Sequence, residues 1–238
     1  TDGNYVVVYG TEVPTQAQWI LPTVWAFGGS MFDETRSTFT LNSPQAAEAL
    51  QRNADLINEY RAATPETSFW DVRFSNGKVS MVTGFLQEGM LLKQNNLGFN
   101  WDAHVEPGGP AGQYSLWKGN VLAISSQSQH PETAWRFIEF LVGPTSPGME
   151  IYLKHKRIAP QSPHGELWRI FADPTEDPKS LALMVQYIAM NTARPLPVRE
   201  GYQRIRQVLD NAWLQVRSGE LPAQQAMEQI APVVQAIL

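Results

Sequence analysis

Val105–Leu141 reads V-E-P-G-G-P-A-G-Q-Y-S-L-W-K-G-N-V-L-A-I-S-S-Q-S-Q-H-P-E-T-A-W-R-F-I-E-F-L, and its reading decides the fold class. Pro107, Gly108, Gly109, Pro110 and Gly112 form a stiff, turning loop. Ser115 to Ile124 follows as a strand, apolar at Leu116, Val121, Ala123 and Ile124, with Gly119 as a bulge or close-approach site. The polar run Ser125 to Gln129 connects it to a helix. Pro131 takes the first helical position behind a capping His130, and Glu132 lies in the first turn, where the helix dipole favours an anion. Ala134, Phe137, Ile138 and Leu141 fall at helical spacing on one face.

Outward from this stretch, helices and short strands alternate. Tyr5 to Tyr9 is a short apolar run that reads as a buried strand. Gln16 to Phe27 reads as a helix, broken or kinked by Pro22 and ended by Gly28-Gly29. Ser43-Pro44 starts a helix with the stripe Ala47, Leu50, Ala54 and Ile57, running to about Ala63. Phe74 to Phe85 carries an Asn-Gly turn signal followed by an alternating strand. A short helix over Phe85 to Asn95 and a strand over Asn100 to Glu106 complete that side. Ser146 to Lys156, Leu167 to Phe171 and Lys179 to Asn191 read as helices, and Pro160 to Gly165 as a loop. Arg194-Pro195-Leu196-Pro197 is extended, because each proline restricts the residue before it. Tyr202, Ile205, Leu209, Trp213 and Val216 mark the clearest amphipathic helix, closed by Gly219. Pro222 to Leu238 is a last helix with Ala226, Ile230, Val233 and Ile237 on its stripe and a bend at Pro232.

The totals narrow the function. The chain has 238 residues, 43% hydrophobic and 17% charged, with a net charge of -5. The cluster Lys154-His155-Lys156-Arg157 is a solvated helix end, not a phosphate tract, so no nucleic-acid partner is expected. The absence of cysteine excludes disulfides, thiolate metal sites and a cysteine nucleophile. No apolar run approaches the ~20 residues of a membrane span. His104, His130, His155 and His164 show no zinc spacing, so no metal is expected. There is no G-x-S-x-G elbow and no phosphate loop with its lysine, so neither a catalytic residue nor a cofactor is expected. Asp33, Glu34 and Asp71 could serve glycoside chemistry, with surface solvation as the plainer reading.

The aromatics are more telling. A sugar presents a weakly polar C–H face and a rim of hydroxyls, so a sugar site needs flat rings beside planar polar groups. The chain has eight tryptophans. Trp25, Trp135 and Trp213 read as core. Trp19 sits apart, at a helix entry beside Gln16 and Gln18. Phe85 follows the bend at Gly84, and Trp117 lies next to Gly119.

The P-x-G-x-x-G loop, the G-x-x-x-A-I-S strand and the P-E-x-A-W-x-F-x-x-F-L helix together resemble the family 1 solute-binding proteins of ABC importers, the maltose-binding-protein-like sugar receptors. V-W-A-F-G-G-S-M-F-D-E, L-N-S-P-Q-A-A-E-A-L-Q, F-S-N-G-K-V-S-M-V-T-G-F, A-R-P-L-P and S-G-E-L-P-A-Q-Q-A-M-E carry the same resemblance in the same order. It implies an α/β fold: the helix-rich C-terminal lobe of a type II periplasmic-binding-protein-like receptor, plus a return segment belonging to an N-terminal lobe that lies mostly outside this chain. The implied division is 1–124 and 166–238 in the C-terminal lobe, with 125–165 as the return segment. It further implies that Trp19, Phe85 and Trp117 face a ligand cleft with Gln16 and Gln18, each with core packing as the alternative. Arg194, Arg199 and Tyr202 would add ligand-facing groups at the late crossover, with a surface ion pair as the rival for each arginine, and Asn120 one more. The implied function is reception of a carbohydrate outside the cytoplasm and its delivery to ABC permease subunits, without catalysis. A carbohydrate-active hydrolase using Asp or Glu and a helical protein-interaction module are the alternatives.

Overall fold

The computed structural model describes residues 8–65, 70–85, 88–89, 92, 95, 97–118, 121–143, 146–154 and 192–238, with the side chains of residues 70–72, 153 and 154 excepted. Two compact units emerge. One comprises Thr1–Thr83, Glu106–Trp117 and Thr192–Leu238; the other comprises Gly84–Val105 and Lys118–Asn191.

The first unit is built on helices. Thr11–Glu12 (β1) leads to a 3-10 helix, Ala17–Ile20, and then Leu21–Ala26 (α1). Pro22 stands in the first turn of α1, where its missing N–H costs nothing; the expected Gln16–Phe27 helix is therefore two short pieces rather than one kinked one. Pro44–Asn58 (α2) begins with Pro44 in its first turn and is rich in alanine; the Ser43 hydroxyl makes no capping bond, although its carbonyl accepts the Ala47 N–H at 2.9 Å. This helix stops at Asn58, short of Ala63, because Ala63–Thr64 (β2) pairs in parallel with β1.

Gly29 is where α2 meets α1. A Cβ there would lie 2.8 Å from both the Cα and the Cβ of Ala46. The Pro107–Gly112 loop docks on the end of α1 by the same device. The Ala111 N–H donates to the Ala26 carbonyl at 2.8 Å, and a Cβ on Gly109 would sit 2.6 Å from that oxygen.

Tyr202–Arg217 (α6) supplies the centre of this unit, and Ala223–Gln235 (α7) folds back on it. Ile205, Leu209, Ala212, Trp213 and Val216 are all buried, as the periodicity predicts. Full burial of each large apolar side chain is worth about 1.5–3 kcal/mol. Trp213 is fully enclosed, and its indole N–H donates to the Pro14 carbonyl at 2.8 Å. On α7 the buried valine is Val234; Val233 is half exposed, a one-residue error in the predicted stripe. Gln51 of α2 caps α7, accepting the Ala223 N–H at 2.9 Å. Asn58 donates to the Arg217 carbonyl at 3.1 Å, meeting one of the free carbonyls at the end of α6.

Several strand expectations fail. Trp70–Ser75 (α3) is helical, so the Asn76-Gly77 turn does not join a hairpin; instead Val79 forms a parallel bridge with Tyr9. Met81 is exposed, and no strand forms over Asn100–Glu106. The central strand is only Ser115–Trp117 (β3), paired in parallel with Ala193–Pro195 (β4). Val121 beyond it is 88% exposed.

The described part of the second unit contains Pro131–Val142 (α4) and Pro147–Lys154 (α5). They cross closely at Gly148, where a Cβ would lie 2.5 Å from the Phe140 carbonyl. Pro131 begins α4 as expected, but the His130 side chain makes no capping bond. No residue of α4 is buried, and Trp135, Phe137 and Phe140 are more than half exposed, so Trp135 is not the core residue its spacing predicts. Residues 5–7, Gly119, the helices expected at Leu167–Phe171 and Lys179–Asn191 and the loop at Pro160–Gly165 lie outside the described residues. None of the described helices is long and apolar enough to cross a membrane.

Candidate functional site

Tyr202, Arg206 and Asp210 occupy successive turns of α6 and lie along one row. The row runs beside the start of the 3-10 helix. The Tyr202 hydroxyl donates to Gln18 Oε1 at 3.1 Å, and Gln18 Nε2 donates to Gln16 Oε1 at 2.8 Å. Asp210 Oδ1 accepts the Ala17 N–H at 2.9 Å. Arg206 Nε stands 3.9 Å from Asp210 Oδ2, a contact too long for a hydrogen bond.

Burial grades outward along this chain. Tyr202 and Gln18 are buried, whereas Gln16 and Trp19 are partly exposed. Burial pushes the Tyr202 phenol up to about 12, which keeps it a donor at any physiological pH. Gln18, paired on both sides, fixes the Gln16 amide in place, and the Gln16 amide nitrogen makes no hydrogen bond among the described residues. Burial also raises the Asp210 carboxyl, against the opposing pull of the Ala17 N–H and Arg206. The result is a fixed planar amide and a half-open ion pair on the same side of α6, with Trp19 in the 3-10 helix that both engage.

Arg194 lies elsewhere. Its guanidinium is 3.8 Å above the Tyr114 ring and 5.8 Å from that of Trp25, both stacking contacts. It borders an open concavity of about 680 Å³ with Trp25, Phe32, Arg36, Pro195 and Pro197, and no residue of the polar row lines that space. Asp33 at its rim is already engaged: Oδ1 accepts the Ser37 and Thr38 N–H groups at 2.7 and 3.0 Å, and Oδ2 the Thr35 hydroxyl at 2.8 Å. These bonds, the Thr35 one foremost, hold its carboxyl down at about 2.

Arg199 is a tie rather than a free arm. Its guanidinium donates to the Arg36 and Leu238 carbonyls, clamping the loop after α1 to the end of the chain. Trp117 ends β3 with 62% of its surface exposed. Phe85 belongs to the second unit, and its N–H donates to the Glu88 carboxylate. Asn120 lies outside the described residues. Of the nine residues anticipated from sequence, Gln16, Gln18 and Tyr202 are thus brought into one hydrogen-bonded group with Trp19 on the same turn. Arg206 and Asp210 were not anticipated; their spacing from Tyr202, at i+4 and i+8, is the signal that points to them. Among the described residues no group of three or more His, Asp or Glu could hold a metal ion.

The sequence profile of a family described as bacterial extracellular solute-binding protein matches residues 1–146. Solved structures share the fold at low identity. An ABC substrate-binding protein from Listeria monocytogenes, in complex with cycloalternan, is 20% identical with a TM-score of 0.86, covering 99% of this chain and 60% of its own. A solute-binding protein from Thermotoga lettingae bound with alpha-D-tagatose is 20% identical with a TM-score of 0.79, covering 100% and 61%. Maltose-bound T. maritima MalE3 is 18% identical with a TM-score of 0.80, covering 98% and 61%. The chain therefore has the type II periplasmic-binding-protein-like fold and spans about 60% of the length of these structures.

Proposed function

This chain belongs to the bacterial extracellular solute-binding protein family, and from that membership we propose that it is the receptor of an ABC importer, holding a sugar or oligosaccharide without chemical conversion. The observation that carries the reading is the group Tyr202–Gln18–Gln16 with Trp19 beside it. A buried phenol orients a buried amide, which orients a second, partly exposed amide, and the partly exposed Trp19 follows three residues on, its backbone N–H donating to the Gln16 carbonyl at 3.1 Å. Amide and ring are the two components that a sugar's hydroxyl rim and C–H face require. That the similar structures hold cycloalternan, tagatose and maltose supports a carbohydrate as the ligand class.

In this reading the exposed aromatics of α4 are the seat of a further α/β lobe. Residues 125–165 return to that lobe, and 1–124 with 166–238 form the other. Exposed apolar surface of this kind marks an interaction face. Ligand would close the two lobes, and permease subunits would recognise the closed form, a hinge-type shift of population. The site of action is outside the cytoplasm.

Titration of the intact protein with maltose, tagatose and cycloalternan, followed by tryptophan fluorescence, tests the reading. Saturable change with at least one sugar is expected, weakened at least tenfold by Trp19→Ala, since a lost stacking ring removes ~1–2 kcal/mol or more. A flat response to every sugar would refute it.

A further inference from the structure

We propose that Arg206 and Asp210 are the specificity-determining pair of this ligand face, selecting a neutral polyol through two adjacent hydroxyls; the inference rests on the receptor reading above. The pair is held open. Asp210 Oδ1 accepts the Ala17 N–H, while its Oδ2 lies 3.9 Å from Arg206 Nε. A relaxed arginine–carboxylate pair closes to hydrogen-bond distance, about 2.7–2.9 Å.

Three other arginines of this unit are tied to backbone carbonyls. Arg217 donates to the Val13, Thr64 and Pro65 carbonyls, Arg199 to those of Arg36 and Leu238, and Arg36 to that of Val198. Arg206 makes no hydrogen bond among the described residues, and its Nε is shut off from solvent without a partner. Its side chain is 37% exposed and that of Asp210 is 23% exposed. A donor and an acceptor therefore stand side by side, both underused, on the row that also carries Tyr202.

A sugar hydroxyl is donor and acceptor at once. One hydroxyl donates to Asp210 Oδ2 while its neighbour accepts from the Arg206 guanidinium, and the pair as a whole is uncharged. A carboxylated ring gains Arg206 but brings a like charge beside Asp210, and an aminated ring gains Asp210 but brings one beside Arg206, whereas a neutral diol satisfies both without repulsion. Because Asp210 is already fixed by Ala17, little ordering is left to be done on binding.

Calorimetry of the intact protein distinguishes the outcomes, with maltose, tagatose and cycloalternan as neutral probes and glucuronate and glucosamine as charged ones. The wild type should take up a neutral sugar and discriminate against both charged rings. Arg206→Gln should weaken the neutral sugar by about tenfold or more, the scale of one lost charge-assisted bond. Asp210→Asn keeps an acceptor for the Ala17 N–H and should narrow the preference for neutral sugar over glucuronate by about tenfold. Arg204→Gln, on the exposed side of α6, should leave all affinities unchanged. The preference ratio is read within one variant, so a purely structural role would not move it. Wild-type affinity in both variants, or an equal loss for every ligand in Asp210→Asn, would overturn the pair's role while sparing the receptor reading. A wild type that binds no sugar would overturn both.

Discussion

Tyr202 and Gln18 stand 184 positions apart in sequence and are joined at 3.1 Å, the phenol donating to the amide oxygen with both side chains buried. This bond sets the partners of Gln18 and through it the orientation of Gln16. Tyr202→Phe keeps the ring and removes the donor, leaving a buried oxygen unsatisfied. Denaturant unfolding should show a loss of about 1–2 kcal/mol, and sugar affinity should fall with it. An unchanged midpoint would mean that Gln18 finds another donor.

Arg217 is a buried cation held by three carbonyls, those of Val13 at 3.3 Å, Pro65 at 3.1 Å and Thr64 at 3.4 Å. It ties α6 to the ends of β1 and β2. Burial lowers its pKa, yet an arginine remains charged across the working range. Arg217→Met preserves much of the volume and orphans the carbonyls. The expected cost is about 3 kcal/mol, read from unfolding curves.

Gly29→Ala tests the contact between α1 and α2. The added methyl would meet Ala46 backbone and side chain at 2.8 Å, neither of which is a flexible chain end. A loss of about 1–3 kcal/mol is expected from overpacking. A neutral outcome would show that α2 shifts freely.

Asp33 governs the acid response of the loop after α1. Its carboxyl lies at about 2, below its ordinary 3.8, because the Thr35 hydroxyl and the Thr38 and Ser37 groups favour the ionised form. A depressed carboxyl stabilises the fold above the unfolded value and loses that contribution as pH falls toward the folded one. Melting temperature should therefore fall between pH of about 4 and about 2, and Asp33→Asn should flatten that part of the profile.

What the sequence disclosed follows from how locally each element is determined. α6 was legible because Tyr202, Ile205, Leu209, Trp213 and Val216 share one face, and that face is the core. The short strands were not, because their partners are remote: Ala63 pairs with Thr11, and Val79 bridges Tyr9 in place of the hairpin that Asn76-Gly77 suggests. Periodicity also cannot say what covers a face. Trp135 and Phe137 have helical spacing yet stand in solvent. Within the candidate site the glutamines follow from their place beside Trp19, and Tyr202 from its place at the late crossover, both as the family resemblance implies. A charged pair at i, i+4 ordinarily belongs to a solvated face; the bond from Ala17 to Asp210 is what sets Arg206 and Asp210 beside the 3-10 helix.

As a receptor, this face would hold a sugar and leave it chemically unchanged. The most direct measurement is calorimetry of the intact protein with a neutral oligosaccharide, followed by chromatography of the recovered sugar. The expected result is saturable binding weakened by both Trp19→Ala and Arg206→Gln, with the sugar recovered unchanged. Cleaved product that disappears on substitution of a single carboxylate, or no heat from any sugar, would contradict it.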